Sequence, residues 1–274
     1  MAQGFIRAED GRPIRLVASD LDGTLLTGGI TAPRPHAIEL IRGLTARGVL
    51  FFAASGRQRA SLRRMFAPVA DQMGYVCENG ALVVVGGEVV VEREIDRSLA
   101  MAVCRAVEEY PHADLLVSAP RQCYIREGNR EFLLHLRMVV RNDVACYRVP
   151  EDIDEPVIKM AFRIPHDEIP EATRHFTMLF GDYFDVVTSG NIWIDFLPRG
   201  VNKGTALEAA GERLGIAPVE MAAFGDNEND REMLGTVGHP YLMETCNPTM
   251  RGLNERIRYV DSVEGELERL LGRA

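Results

Sequence analysis

Leu16-Val17-Ala18-Ser19-Asp20-Leu21-Asp22-Gly23-Thr24 runs from an apolar strand into two carboxylates one residue apart. Leu16, Val17 and Ala18 show no polar alternation, the mark of a strand buried on both faces, and Gly23 lets the backbone turn sharply after the acids. Carboxylates this close repel unless a cation joins them, so the spacing points to a Mg2+ site with a reactive carboxylate inside it. Asp residues also cap turns, but the strand before this pair and the Gly-Thr-Leu-Leu after it narrow the reading.

Around this stretch strands alternate with helices: strand 16–19, helix 35–47, strand 49–54, helix 58–69 and strand 75–77. Ala37, Leu40, Ile41 and Leu44 recur at helical spacing, and Gly48 supplies the stop. Apolar strands alternating with amphipathic helices predict a parallel sheet covered on both faces, with ligands at the carboxyl ends of its strands.

The pattern changes near residue 82, where 82–85 and 88–91 flank Gly86-Gly87 as a hairpin. Beyond it, helices at 98–110, 129–137 and 167–180 mix with strands near 115–117, 123–125, 158–164, 184–188 and 192–197. The earlier alternation then returns, with helix 203–214, strand 221–225, helix 230–234, strand 241–243 and helix 263–271. The expected architecture is α/β: a Rossmann-like parallel-sheet core from residues 1–84 and 192–274, interrupted by an inserted α+β domain at 85–191.

A chain of 274 residues can bury a sizeable core, and 46% hydrophobic residues with no low-complexity tract fit a soluble globular protein. A net charge of −9 without a basic block argues against nucleic acid, although a local cation can still hold a small phosphate ester. No apolar run approaches the ~20 residues that span a bilayer, and the first fifteen residues lack an apolar signal region. Five scattered cysteines form no C-x-x-C pair, which fits reduced thiols in the cytoplasm.

Three further stretches carry candidate chemistry. Ser55-Gly56 follows the second strand and offers a hydroxyl and an amide to a phosphoryl oxygen. Lys203 opens the helix that returns from the insertion, as a point charge that offsets a carboxylate and a phosphate together. The loop Asp226-Asn227-Glu228-Asn229-Asp230 follows a buried strand. Such a loop also reads as an Asx-rich turn capping the next helix; in the functional reading Asp226 supplies a further metal carboxylate, with Asp230 and Asn229 supporting it from behind.

Taken in order, the four stretches resemble the four motifs of the haloacid dehalogenase (HAD) superfamily. The insertion between the second and third stands where the Cof-type (class IIB) subgroup carries its large cap. Glu78-Asn79-Gly80-Ala81 and Gly200-Val201-Asn202-Lys203-Gly204 match further, although Asn79-Gly80 also reads as a simple tight turn. Thr245-Cys246 departs from the family's usual Asn-Ala pair, which puts the hydrogen bonding there in question.

The resemblance implies a Mg2+-dependent phosphatase for a small phosphorylated metabolite, a sugar phosphate or a phosphorylated cofactor such as pyridoxal phosphate. Asp20 would be the nucleophile and Asp22 the acid and base. Asp20, Asp22 through its carbonyl, and Asp226 would hold Mg2+, with phosphate held by Ser55, Gly56, Lys203 and Asn229. Trp193, Arg121, Arg126 and His112 receive no role, and the oligomeric state is open. A phosphosugar mutase would use the same nucleophile, a glycosyltransferase could use Asp-x-Asp without Lys203, and a receiver module would be phosphorylated on Asp without turnover.

Overall fold

The computed structural model describes residues 6–273 apart from 9, 190 and 191. The outer ends of the expected core, at 1 and 274, and the end of the expected insertion, at 191, lie outside them. The described residues divide into two compact units, the first falling within 1–56, 62–91 and 202–274, and the second within 57–61 and 92–201.

The first unit opens with β1 (Leu16–Ser19), α1 (Pro35–Thr45), β2 (Leu50–Ala54), α2 (Arg59–Met65), β3 (Gly74–Cys77), β4 (Leu82–Val85) and β5 (Glu88–Glu92). Pro35 starts α1 where no helical N–H is needed, and Ala37, Ile38, Leu40, Ile41 and Leu44 bury its apolar face. The helix expected over 58–69 stops at Met65, with Pro68 inside a short 3-10 turn, Ala67–Gln72, because proline cannot donate into the helical ladder.

The second unit follows with α3 (Arg97–Glu108), β6 (Asp114–Ser118), β7 (Cys123–Arg126), α4 (Arg130–Leu134), β8 (Val144–Tyr147), β9 (Lys159–Arg163), α5 (Ile169–Phe180), β10 (Phe184–Ser189) and β11 (Trp193–Pro198). Its strands form one sheet in the order β10-β11-β9-β6-β7-β8, antiparallel except for β7 with β8. Val103, Val107, Leu115, Phe162, Phe176 and Phe196 form the main core between this sheet and α3 and α5.

The chain returns to the first unit through α6 (Lys203–Leu214), β12 (Met221–Gly225), α7 (Arg231–Thr236), β13 (His239–Met243), β14 (Arg258–Val260) and α8 (Val263–Leu270). The complete sheet runs β14-β13-β12-β1-β2-β3-β4-β5, parallel from β14 to β3 and turning antiparallel at β4. This is a Rossmann-like core whose sequence is interrupted by an α+β insertion.

The expected boundaries shift at both ends. The hairpin strands β4 and β5 extend the core sheet, since Leu82 pairs with Cys77 and Val85 with Gly74, so the core runs to residue 91 rather than 84. At the return, β11 pairs with β10 and β9, so the second unit extends to residue 201 and the core resumes at 202 rather than 192. Strands β8 and β14 were not expected from the sequence; both are short and lie at sheet edges.

Candidate active site

In the first unit's sheet β1 lies between β12 and β2, so three parallel strands end side by side at one edge. Ser19 is level with Phe224 on one neighbour and Ala53 on the other, which brings the residues after them, Asp20, Gly225 and Ala54, to the same rim. Adjacent strands lie about 4.8 Å apart, so the loops that follow share one crevice where the chain departs in opposite directions.

Lys203 reaches this rim because α6 begins there. Asn202 caps the helix by accepting from the Thr205 amide at 2.9 Å, while Thr205 Oγ1 accepts from the Asn202 amide at 3.2 Å. That reciprocal cap makes Lys203 the first helical residue. Its Nζ lies 2.5 Å from Oδ1 of Asp20 and 2.7 Å from Oδ1 of Asp230, and its side chain has no exposed surface.

Asp230 is equally enclosed, and its second oxygen accepts the amides of Asp226 at 3.0 Å and Asn227 at 3.2 Å. One carboxylate thus fixes both the ammonium and the loop that carries Asp226. Thr24 Oγ1 donates to Oδ1 of Asp226 at 2.6 Å, and the Asn247 amide donates to the Asp226 carbonyl at 2.8 Å. Gly23, at φ +95°, leaves no room for a Cβ beside the Asp226 carboxylate, so that carboxylate rests directly on backbone.

Oxygen atoms of Asp20, Asp226 and Asp230 all lie within 4.8 Å of one another. With all three carboxylates ionised against one ammonium, two negative charges would be left uncompensated, the charge of a single divalent cation. Burial pushes the Asp20 carboxyl up to about 8, helped by the Asp230 and Asp226 charges and opposed by Lys203. Burial likewise raises Asp226. For Lys203 burial disfavours the charge, but Asp20 and Asp230 outweigh it and raise its pKa. An all-oxygen donor set short of positive charge fits a hard divalent ion of the Mg2+ type.

Of the expected site residues, Asp20, Lys203, Asp226 and Asp230 are brought together. The Asp22 side chain is exposed and stands outside the carboxylate cluster. Ser55 is buried at the end of β2, its amide donating to Val76 and its carbonyl accepting from Asn79, with Gly56 next to it. Asn229 is exposed and no hydrogen bond joins it to the cluster.

Two contributors escaped the sequence reading. Thr24 holds Asp226 from the first motif, and close to the Thr245-Cys246 departure the Asn247 backbone amide donates to the Asp226 carbonyl while its side chain donates to Asn227 Oδ1 at 3.1 Å. Asn79 does sit in a tight β3–β4 connection, but Glu78 and Asn79 are buried at φ 50° and 56° rather than turning in solvent.

A family model for haloacid dehalogenase-like hydrolase matches residues 17–257, spanning all of these groups. The chain belongs to the haloacid dehalogenase-like hydrolases. It is 25% identical over 262 residues to the 5-amino-6-(5-phospho-D-ribitylamino)uracil phosphatase of Escherichia coli, covering 93% of this chain and 97% of that one. It is 28% identical over 257 residues to the HMP-PP phosphatase of Serratia proteamaculans, covering 91% of each. A solved Eubacterium rectale structure superimposes with a TM-score of 0.82 at 26% identity, covering 93% of this chain and 98% of that one. A HAD subclass IIB sugar phosphatase shares the fold with a TM-score of 0.76 at 19% identity, covering 95% and 100%. As a member of this family the chain is a hydrolase, and both curated relatives are named as phosphatases. No helix among the described residues is long and apolar enough to cross a membrane.

Proposed function

We propose that the chain hydrolyses small phosphate monoesters with Asp20 as nucleophile. The observation that carries this is the meeting of Asp20 with Lys203 at 2.5 Å, within a buried cluster whose charge calls for a divalent cation. Asp20, Asp226 and the Asp22 carbonyl would hold Mg2+, which when bound neutralises charge on the phosphate oxygens.

In the first half-reaction an Asp20 oxygen attacks phosphorus opposite the leaving oxygen; the O–P bond to Asp20 forms as the ester P–O bond breaks. Asp22 gives its proton to the departing alcohol. In the second half, water attacks the aspartyl-phosphate, Asp22 takes back a proton, and inorganic phosphate leaves with Asp20 regenerated. Lys203 balances charge on Asp20 and on the phosphoryl oxygens, while Ser55, the Gly56 amide and Asn229 complete the phosphate cradle.

The substrate class is a small phosphorylated metabolite, a sugar phosphate or phosphorylated cofactor. The curated relatives support this, one being named for the phosphate ester of a ribitylaminouracil. The inserted unit would act as the cap that excludes water and selects the leaving group. Nucleic acid is not a partner in this reading, and the protein works in the cytoplasm. Multiple turnovers of an aryl phosphate that require Mg2+ and cease with EDTA are the expected result, and their absence would remove the proposal. Stoichiometric release of inorganic phosphate separates a phosphatase from a mutase, which returns the group to a sugar.

A further inference from the structure

A cavity of about 370 Å3 opens in the first unit at the amino ends of β12 and β13, the opposite edge of the sheet from Asp20. Arg12, Arg256 and Arg258 line it from two distant parts of the chain, together with His239, Asp10 and Glu255. We propose that this cavity is a second anion site, built for a phosphate group and separate from the catalytic rim.

Three guanidiniums in one cavity run against the composition of a chain whose net charge is −9. Asp10 is matched by Arg12, 3.6 Å away, so the remaining charges leave the cavity positive. Arg256 is held in place by the carbonyls of Val237 at 3.1 Å and Gly235 at 3.0 Å. Two of its five N–H groups are thereby used, and the planar fork that remains suits a phosphate. Holding the guanidinium in advance lowers the entropy lost when an anion binds.

His239 is buried, with Nε2 3.1 Å from the Val219 carbonyl, so that nitrogen carries the proton and Nδ1 is the acceptor of the neutral ring. Burial lowers its pKa, and the Arg258 and Arg12 charges act the same way while Asp10 opposes them. Glu255, the remaining charged residue of the lining, is exposed. A bound dianion would reverse this balance and favour the doubly protonated ring, which donates through both nitrogens. Phosphate uptake is therefore accompanied by proton uptake at His239.

The test uses the intact protein in EDTA, with inorganic phosphate titrated against sodium chloride of equal ionic strength. The expected result is a saturable shift of the His239 ring resonances toward the protonated form, together with a rise in Tm, both lost in Arg258→Gln. Arg12→Gln, at an exposed side chain, should weaken binding at least several-fold while aryl phosphatase activity is unchanged. It serves if Arg258→Gln does not fold. A Tm rise with His239 unmoved would place phosphate only at the catalytic rim and overturn the proposal. An equal shift with chloride, or titration curves unaltered in Arg12→Gln, would overturn it too.

Discussion

Lys203 Nζ lies 2.7 Å from Oδ1 of Asp230, and neither side chain exposes any surface. Such a pair is costly to break from one side, because the charge left behind stays buried. Asp230→Asn removes one charge from Lys203 and weakens the acceptor that holds the Asp226 and Asn227 amides. The expected loss is about 3 kcal/mol of stability, read by urea denaturation, with a fall in activity larger than the unfolded fraction explains.

Asp20→Asn keeps the shape of the side chain and one partner for Lys203, since Asp230 remains. Turnover of an aryl phosphate should fall by about 10^4-fold or more with the far-UV spectrum unchanged, the size of loss seen when a nucleophile is removed. Full activity in this variant would refute the nucleophile assignment.

Thr24 touches Asp226 through its hydroxyl at 2.6 Å. Thr24→Val conserves shape but withdraws that hydrogen bond, and the Mg2+ concentration for half-maximal rate should rise by about tenfold. Thr24→Ser should restore it. A Thr24→Ser variant that is impaired while Thr24→Val behaves normally would mean that the methyl group rather than the hydroxyl matters.

The metal-free cluster makes a pH prediction whose sign is fixed. An Asp side chain raised to about 8 on folding keeps a proton that the unfolded chain has released at about 4, so it costs stability progressively as pH rises between those values. Mg2+ must displace that proton, so its affinity grows with pH over the same window. The Mg2+-induced rise in Tm should therefore be larger at pH 8 than at pH 6, and Asp20→Asn should flatten the difference.

Gly80, at φ +110°, stands where an added Cβ would run into the carbonyl of Asn202, the residue that caps α6 just before Lys203. Gly80→Ala forces either the buried turn or the start of the helix to move. A loss of at least about 2 kcal/mol in stability, with reduced activity in the fraction still folded, is the expected outcome.

Much of this site was legible because its parts follow from local chemistry. Leu16–Ser19 and Met221–Gly225 are continuous apolar strands, each closing on an acid, and both were read with the bounds the structure gives them. Lys203 was legible from its place at a helix start. Which sheet a strand joins was not legible: β4, β5 and β11 were recognised as strands, but their pairing depends on partners that no local pattern names. Edge strands β8 and β14 bury too little apolar surface to leave a periodic signal. Thr24 was hidden because a loop hydroxyl looks the same whether it meets water or a carboxylate 202 positions away.

The 183 positions between Asp20 and Lys203 also have a biosynthetic meaning. The acid that would attack phosphorus leaves the ribosome early, whereas its ammonium partner and the Asp226 loop emerge only in the last third of translation. A nascent or truncated chain would therefore carry the nucleophile without its counter-charge, and would be unable to dephosphorylate metabolites until β12 has slotted in beside β1.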